Sequence, residues 1–313
     1  MQTLKRGLFV GLNTTWTLGK VIFPITLIVT LLRYTPVLPW VIARLEPLMG
    51  WLGLSGDAAI PLVIGNFLNL YAAIGAILTL DLTVKEVFIL AVMLSFSHNL
   101  LIESTVAARV GIKIWVVTLV RISLAVFSAV MINIAWSGGG ELAQYGLVQS
   151  TEAEVSGWFN ILLQGIEKAS LGIIQLALIV IPLMIAIQYM KEKDWLDAFS
   201  RRLAPFTRML GMKENTSMTL VAGLTIGLAY GAGVMIQAVK EDGVEKRDLY
   251  LAFIFLVSCH AVVEDTLIFV PLGIPVWPLL AIRLVTAILL TMAVAFFWPR
   301  FETAHRKEAT YEN

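Results

Sequence analysis

Long apolar runs, each interrupted by only a few polar residues, fill most of the chain and alternate with short charged stretches. They come as two series in the same order. An apolar helix is predicted over about 15–34 and again over 170–190, followed by a shorter amphipathic segment with proline and charge over 36–53 and 193–211. Next come a Gly-, Asn- or Tyr-marked apolar segment over 58–80 and 217–238, and two further apolar segments over 85–106 and 112–136, then 248–270 and 274–298. Runs near twenty residues are long enough for a helix to cross a hydrocarbon layer about 30 Å thick.

The two series match residue by residue. At a shift of 158, Gly7 meets Gly165, Leu45 meets Leu203, Pro47 meets Pro205, Leu52-Gly53 meets Leu210-Gly211, Gly65 meets Gly223 and Gly75 meets Gly233. Four extra residues in the second copy raise the shift to 162. His98 then meets His260, Glu103 meets Asp265, Ser104 meets Thr266, Gly111-Ile112 meets Gly273-Ile274, Trp115 meets Trp277 and Arg121 meets Arg283. Overlaying two hydrophobic segments by chance pairs Leu with Val, but rarely aligns His, acid, Gly, Trp and Arg in order. The chain is read as an internal duplication of the kind on which transporters are built.

Positive charge decides how the copies are oriented, because cytoplasmic loops are enriched in Lys and Arg. If the third segment of each copy enters and leaves on one side, each copy crosses three times and the second is inverted. Sixteen Lys and Arg then fall inside, against four outside at Arg33, Arg44, Lys85 and Lys168, with Lys20, Arg121 and Arg283 in the membrane. Four crossings per copy would put the basic stretch 191–216 outside. The expected fold is therefore an all-α polytopic membrane protein of two inverted-topology repeats, each helix, interfacial helix, re-entrant hairpin, broken helix and helix. Residues 1–136 form the first repeat, 137–157 an acidic external linker, 158–300 the inverted second repeat, and 301–313 a polar, frayed cytoplasmic tail. Continuous third segments with Gly at packing contacts are the alternative to hairpins. The hairpins' candidate turning points are Gly65-Asn66, Asn69, Gly227, Gly231 and Gly233.

Composition agrees with a membrane assignment. Hydrophobic residues make up 58% of the 313 and charged residues 14%, against roughly 45–50% and about 25% in soluble domains; the mean hydropathy is +0.83. Lys5 and Arg6 precede the first apolar run as in a signal peptide, but no small-residue cleavage site follows, so it is expected to stay as an anchor. The single cysteine, Cys259, permits no internal disulfide. A net charge of +1 gives no reason to expect nucleic acid. The location expected is a prokaryotic-type plasma (inner) membrane, with both termini cytoplasmic.

Ionisable residues within such segments cost roughly 2.5–3.5 kcal/mol each on insertion scales and mark a site unless paired. His98 and Glu103 are five apart, a poor fit to one face of a continuous helix. Ser97-His98-Asn99 and Ser258-Cys259-His260 are therefore candidate points of unwinding, where free backbone groups and helix dipoles can meet a ligand. Glu264 lies within helical reach of His260. Glu103–Arg121 and Asp265–Arg283 can alternatively be structural ion pairs fixing adjacent helices, which leaves His98, His260 and Glu264 unexplained.

VIGNFLNLYAAIGAI with SFSHNLLIESTVAARVGI, and AGLTIGLAYGAGVMIQ with SCHAVVEDTLIFVPLGI, resemble the Gate or nucleoside-recognition superfamily. That group includes the cores of concentrative nucleoside transporters, the permease region of ferrous-iron transporters and the spore maturation A and B proteins. The resemblance implies substrate contacts from hairpin tips and unwound helices, here Asn66, Asn69, Gly231 and Gly233, then His98, Asn99, Glu103, Ser104, His260, Glu264, Asp265 and Thr266. The chain departs from the nucleoside transporters in being shorter, and from the iron permeases in lacking a G-protein domain and having one cysteine.

The function expected is a secondary transporter for a small polar solute, nucleoside-like if the resemblance extends that far. The alternatives are a permease for a divalent metal ion, held by His98, His260 and Glu264, and a structural or regulatory membrane protein without transport. No G-x-x-x-x-G-K-[ST] loop is present, and neither H-E-x-x-H nor G-x-S-x-G occurs, so nucleotide hydrolysis and the common intramembrane hydrolases are not expected. No cofactor is expected beyond a coupling proton or sodium ion. The expected partners are the lipid bilayer, the transported molecule or ion and, optionally, further copies of the chain.

Overall fold

The computed structural model describes residues 2–145, 157–193 and 195–311. Fourteen α-helices lie within these residues. The first half holds α1 (Gln2–Arg33), α2 (Val37–Trp51), α3 (Ala59–Phe67), α4 (Leu70–Ile77), α5 (Val84–Ser97), α6 (Leu100–Arg109) and α7 (Ile114–Ala135). The second holds α8 (Trp158–Glu192), α9 (Trp195–Met209), α10 (Ser217–Ile226), α11 (Leu228–Glu241), α12 (Lys246–Ser258), α13 (Glu264–Leu267) and α14 (Val276–Tyr311). The protein is an all-α polytopic membrane protein. Five described helical stretches are long and apolar enough to cross a membrane: Gln2–Leu32, Val84–Arg109, Ile114–Ala135, Trp158–Ala186 and Val276–Trp298. The segment expected over 248–270 is not among them, because it is interrupted after Ser258.

The helix starts keep the sequence register. α9, α10 and α11 begin at 195, 217 and 228, which is 158 after α2, α3 and α4 at 37, 59 and 70; α12 and α14 begin at 246 and 276, which is 162 after α5 and α7 at 84 and 114. The four extra residues fall between the starts of α11 and α12: α11 has 14 residues against 8 in α4, and the connection that follows it is two residues shorter.

Equivalent helices α1 and α8 pack against one another with falling numbers. A Cβ placed on Gly7 would lie 2.7 Å from Ile185 Cα, one on Gly11 2.9 Å from Ile181 Cα, one on Gly19 3.4 Å from Ile173 Cδ1, and one on Gly165 2.7 Å from Leu27 Cδ1. The two helices therefore run antiparallel, and their small residues permit close backbone approach where lipid supplies no hydrophobic drive. Both are longer than predicted from the sequence, since Gln2–Val10 and Trp158–Lys168 continue the same helices.

The third segments each fold back. A Cβ on Gly65 would come within 2.9 Å of Ala73 Cβ, eight residues on, whereas an unbroken helix would separate them by about 12 Å. The reversal sits at Leu68–Asn69, where Asn69 is extended and its side chain accepts from Ala72 N–H. In the second half it sits at Gly227 (φ +85°, ψ 172°), a conformation open to glycine. Gly231 and Gly233, read from the sequence as turning points, are instead helical within α11, and Asn66 lies in the last turn of α3.

Two buried cores form, one per half, and each borrows from the other. Ile268, Phe269, Leu272, Ile274 and Leu279 join the core built on α3, α4 and α5. Val106, Ala107, Ile112 and Val117 join that built on α10, α11 and α12. The parts of the chain beyond each break are thus exchanged between halves, with α5 packed on α14 and α12 on α7.

The acidic linker is partly ordered. Within 137–145, Glu141 O accepts from Val84 N, Gly139 O from Lys85 N, and Ala143 N donates to Leu82 O. Gln144 O then closes on Gly273, where a Cβ would come within 2.3 Å. These backbone contacts tie down the start of the linker; the remainder, 146–156, lies outside the described residues. α14 runs on to Tyr311, so residues 301–311 of the tail read as frayed continue that helix.

Candidate functional site

The site is built where two buried helices stop, α5 at Ser97 and α12 at Ser258. α5 ends as Ser95 and Ser97 turn their hydroxyls to Val92 O and Met93 O, a side-chain competition that loosens helical turns. His98 then goes extended (φ −56°, ψ 157°) and Asn99 turns left-handed (φ 51°, ψ 36°) before α6 begins. In the second half α12 ends at Ser258, Cys259 is extended, and Ala261 is left-handed at φ 42°. Asn tolerates that region; an alanine there is strained by about 1–2 kcal/mol. Ala261→Gly is expected to leave the fold intact and raise resistance to unfolding by about 1 kcal/mol, read as a later midpoint in a denaturant titration in lipid nanodiscs.

Backbone freed by a break inside a bilayer has to be satisfied by protein. The hairpins supply acceptors: Asn99 N donates to Gly65 O at 2.8 Å, Ala261 N to Gly223 O at 3.0 Å and Val262 N to Leu224 O at 2.8 Å. The arginines supply donors. Arg121 reaches from α7 to Phe96 O through Nε (2.7 Å) and to His98 O through Nη2 (2.5 Å), while Arg283 reaches from α14 to His260 O (2.6 Å). Each also meets a carboxylate, Arg121 with Glu103 at 2.8 Å and Arg283 with Asp265 at 3.0 Å. Both arginines are 0% exposed. They act as clamps that close a helix C-terminus, where positive charge is favoured, and neutralise one acid apiece.

The two histidines meet between the halves, with ring centroids 5.2 Å apart. Each points Nδ1 at the carbonyl one turn back, His98 at Leu94 O (2.6 Å) and His260 at Leu256 O (2.8 Å). Their Nε2 atoms converge on Glu103 Oε1, at 3.4 Å from His98 and 3.3 Å from His260. Of the residues offered to a metal ion from sequence, His98 and His260 group with Asp265, their ligand atoms within 4.8 Å of one another. Glu264 is drawn away, because Tyr71 of α4 donates its hydroxyl to Glu264 Oε1.

A cavity of about 210 Å³ opens beside this centre. The hairpin turns line it with Leu68, Asn69, Leu70 and Tyr71 from one half and Ile226, Gly227 and Leu228 from the other. The breaks contribute His98, Asn99, Glu103, His260, Ala261, Glu264 and Asp265. Seven sequence candidates are thus brought together: Asn69, His98, Asn99, Glu103, His260, Glu264 and Asp265. Five lie elsewhere. Asn66 donates to Leu62 O of its own helix, Ser104 faces the Thr118 hydroxyl, Thr266 donates to Val262 O, and Gly231 and Gly233 sit inside α11 rather than at its tip. Tyr71 and Gly227 line the cavity without having been singled out as contacts.

The model of a family named Gate, described as nucleoside recognition, matches residues 15–113 and 173–276, so each matched stretch contains one fold-back and one break. An uncharacterized membrane protein of Bacillus subtilis (strain 168), YvoD, is 65% identical over 304 residues, covering 97% of each chain. No solved structure matches the chain.

Proposed function

Since the chain belongs to the Gate, nucleoside-recognition family, we propose that it is a multi-pass permease that binds a small polar solute in the cavity between its hairpin turns and its two broken helices. One observation carries the reading. Residues from both halves converge on a single cavity whose hairpin walls are mostly apolar and whose broken-helix walls are polar. At about 210 Å³ it is smaller than the roughly 300–1,000 Å³ of sites for drug-sized ligands. A flat heteroaromatic solute with polar edges, such as a nucleoside base, suits this lining: Leu68, Leu70, Ile226 and Leu228 offer apolar surface, while Asn69, Asn99 and Glu264 offer donors and acceptors.

The inverted arrangement of the repeats belongs to the same proposal. Antiparallel packing of the equivalent helices α1 and α8 supports it, as does the linker segment 139–144, which touches both the start of α5 and Gly273 beyond α13. Those two points fall on one side of the membrane only if the broken segments run in opposite directions. The hairpins α3–α4 and α10–α11 then re-enter from opposite faces, the termini lie in the cytoplasm, and the membrane is a plasma membrane of prokaryotic type. Alternating access proceeds by one half rocking against the other around the site.

Purified protein in proteoliposomes, offered radiolabelled uridine, adenosine and a panel of small amino acids, tests the function. The expected result is saturable uptake of at least one nucleoside and none of comparable size in empty liposomes. Saturable uptake of amino acids alone would replace the nucleoside-like class; no saturable flux of any solute would remove the permease reading.

A further inference from the structure

Each central imidazole has one nitrogen already committed. A backbone carbonyl only accepts, so Nδ1 of His98 at Leu94 O and Nδ1 of His260 at Leu256 O both carry hydrogen. In a neutral ring bound this way, Nε2 is a bare lone pair. Both lone pairs then face the same carboxylate oxygen, Glu103 Oε1, at 3.4 and 3.3 Å, and that of His260 also faces Asp265 Oδ2 at 3.6 Å. Nε2 of His260 is buried without a hydrogen-bond partner. Acceptors crowded together at one buried point with no donor among them are strongly unfavourable.

The surrounding charges do not relieve this. Arg121 of α7 meets the other Glu103 oxygen, Oε2, and His98 O; Arg283 of α14 meets Asp265 and His260 O. Glu264 of α13, tied to Tyr71 of α4, brings no positive charge. The acids Glu103 and Asp265 are already balanced by the two arginines, so the lone pairs themselves call for a positive species between them.

We propose that the point enclosed by His98 Nε2, His260 Nε2 and Glu103 Oε1 is a cation site. Its occupant is a divalent metal ion coordinated by both Nε2 atoms and the carboxylate, beside Asp265, whose ligand atom groups with those of the two histidines within 4.8 Å. Two imidazoles and a carboxylate suit borderline divalent ions and not sodium, which lacks affinity for nitrogen donors. The proposal rests on the permease reading in one respect: the cation is exchanged together with the solute in the adjoining cavity, because Glu103 and both histidines line that cavity.

The full-length protein in nanodiscs, labelled with ¹⁵N-histidine, provides the test. The chain has three histidines, and His305 in the tail serves as internal reference. In EDTA, a central ring with both nitrogens protonated at a pH where His305 is neutral would overturn the metal site. A metal occupant gives neutral rings whose Nε2 resonances both move on adding Zn²⁺ at micromolar concentration while His305 stays put. His98→Gln, which leaves the Glu103–Arg121 pair in place, is expected to weaken Zn²⁺ binding at least tenfold. Two neutral rings unmoved by Zn²⁺ would overturn the site, and the wild-type spectrum alone can deliver that result if the variant does not fold. Because these spectra need no solute, a filled site in a protein that moves nothing would sink the permease reading alone. Saturable solute uptake indifferent to Zn²⁺, with an empty site, would sink this one alone.

Discussion

Arg121→Met is expected to destabilise the protein by about 3–5 kcal/mol, the cost of stranding a buried charge once its partner is gone. Glu103 would lose its 2.8 Å partner, and the carbonyls of Phe96 and His98 would lose their donors at the break. Pairing the change with Glu103→Leu removes the stranded carboxylate and is expected to recover a large part of the loss, since an apolar replacement of both members of a buried pair is often nearly neutral. Denaturant titration in nanodiscs of the two single variants and the double variant measures the coupling. Equal losses in Arg121→Met and the double variant would mean that the clamp acts only on the backbone carbonyls. In the second half Arg283 pairs with Asp265 and reaches one break carbonyl, His260 O, so Arg283→Met is expected to destabilise in the same direction, with one carbonyl rather than two left without its donor.

The second large effect falls on binding. Glu264→Gln keeps the size of the side chain and an acceptor for the Tyr71 hydroxyl but removes the acid not balanced by an arginine. Hydrogen bonds to charged groups contribute about 1.5–3 kcal/mol, so the half-saturating concentration of solute is expected to rise about 10- to 100-fold with little change in stability. Michaelis curves from proteoliposome uptake, with a melting curve on the same preparation, check this. A variant with unchanged half-saturation would place the solute away from Glu264.

Much of this was legible in the sequence because membrane interiors are intolerant. An arginine in an apolar run needs a carboxylate, so the spacing of Glu103 to Arg121 and of Asp265 to Arg283 pointed to the pairs that form. The five-residue gap from His98 to Glu103 pointed to the break between α5 and α6. The register of the two series also set helix starts, because a duplicated pattern constrains both copies at once. Other features carry no such mark. Tyr71 is one aromatic residue among many and its repeat position holds Ala229, so its bond to Glu264 had no counterpart to reveal it. Gly231 and Gly233 read as a turn because glycine is permissive, yet one left-handed glycine, Gly227, already makes the reversal and the others remain helical. Asn66, Ser104 and Thr266 satisfy themselves with a carbonyl or hydroxyl nearby, which residue type alone does not disclose. The ordered start of the linker rests on backbone hydrogen bonds that any residues could make.

The central claim, that the space between the hairpin turns and the broken helices is a solute site opened in turn to each side, is tested most directly by cysteine accessibility. The chain has a single cysteine, the buried Cys259, so Asn69→Cys in a Cys259→Ser background gives one reporter at the tip of the first hairpin. The account predicts that it reacts with a membrane-impermeant maleimide from both faces of oriented membranes, and that saturating uridine slows the reaction at least tenfold. A cysteine at 69 that is unreactive from both faces, while a control on an exposed loop residue is labelled, would contradict it.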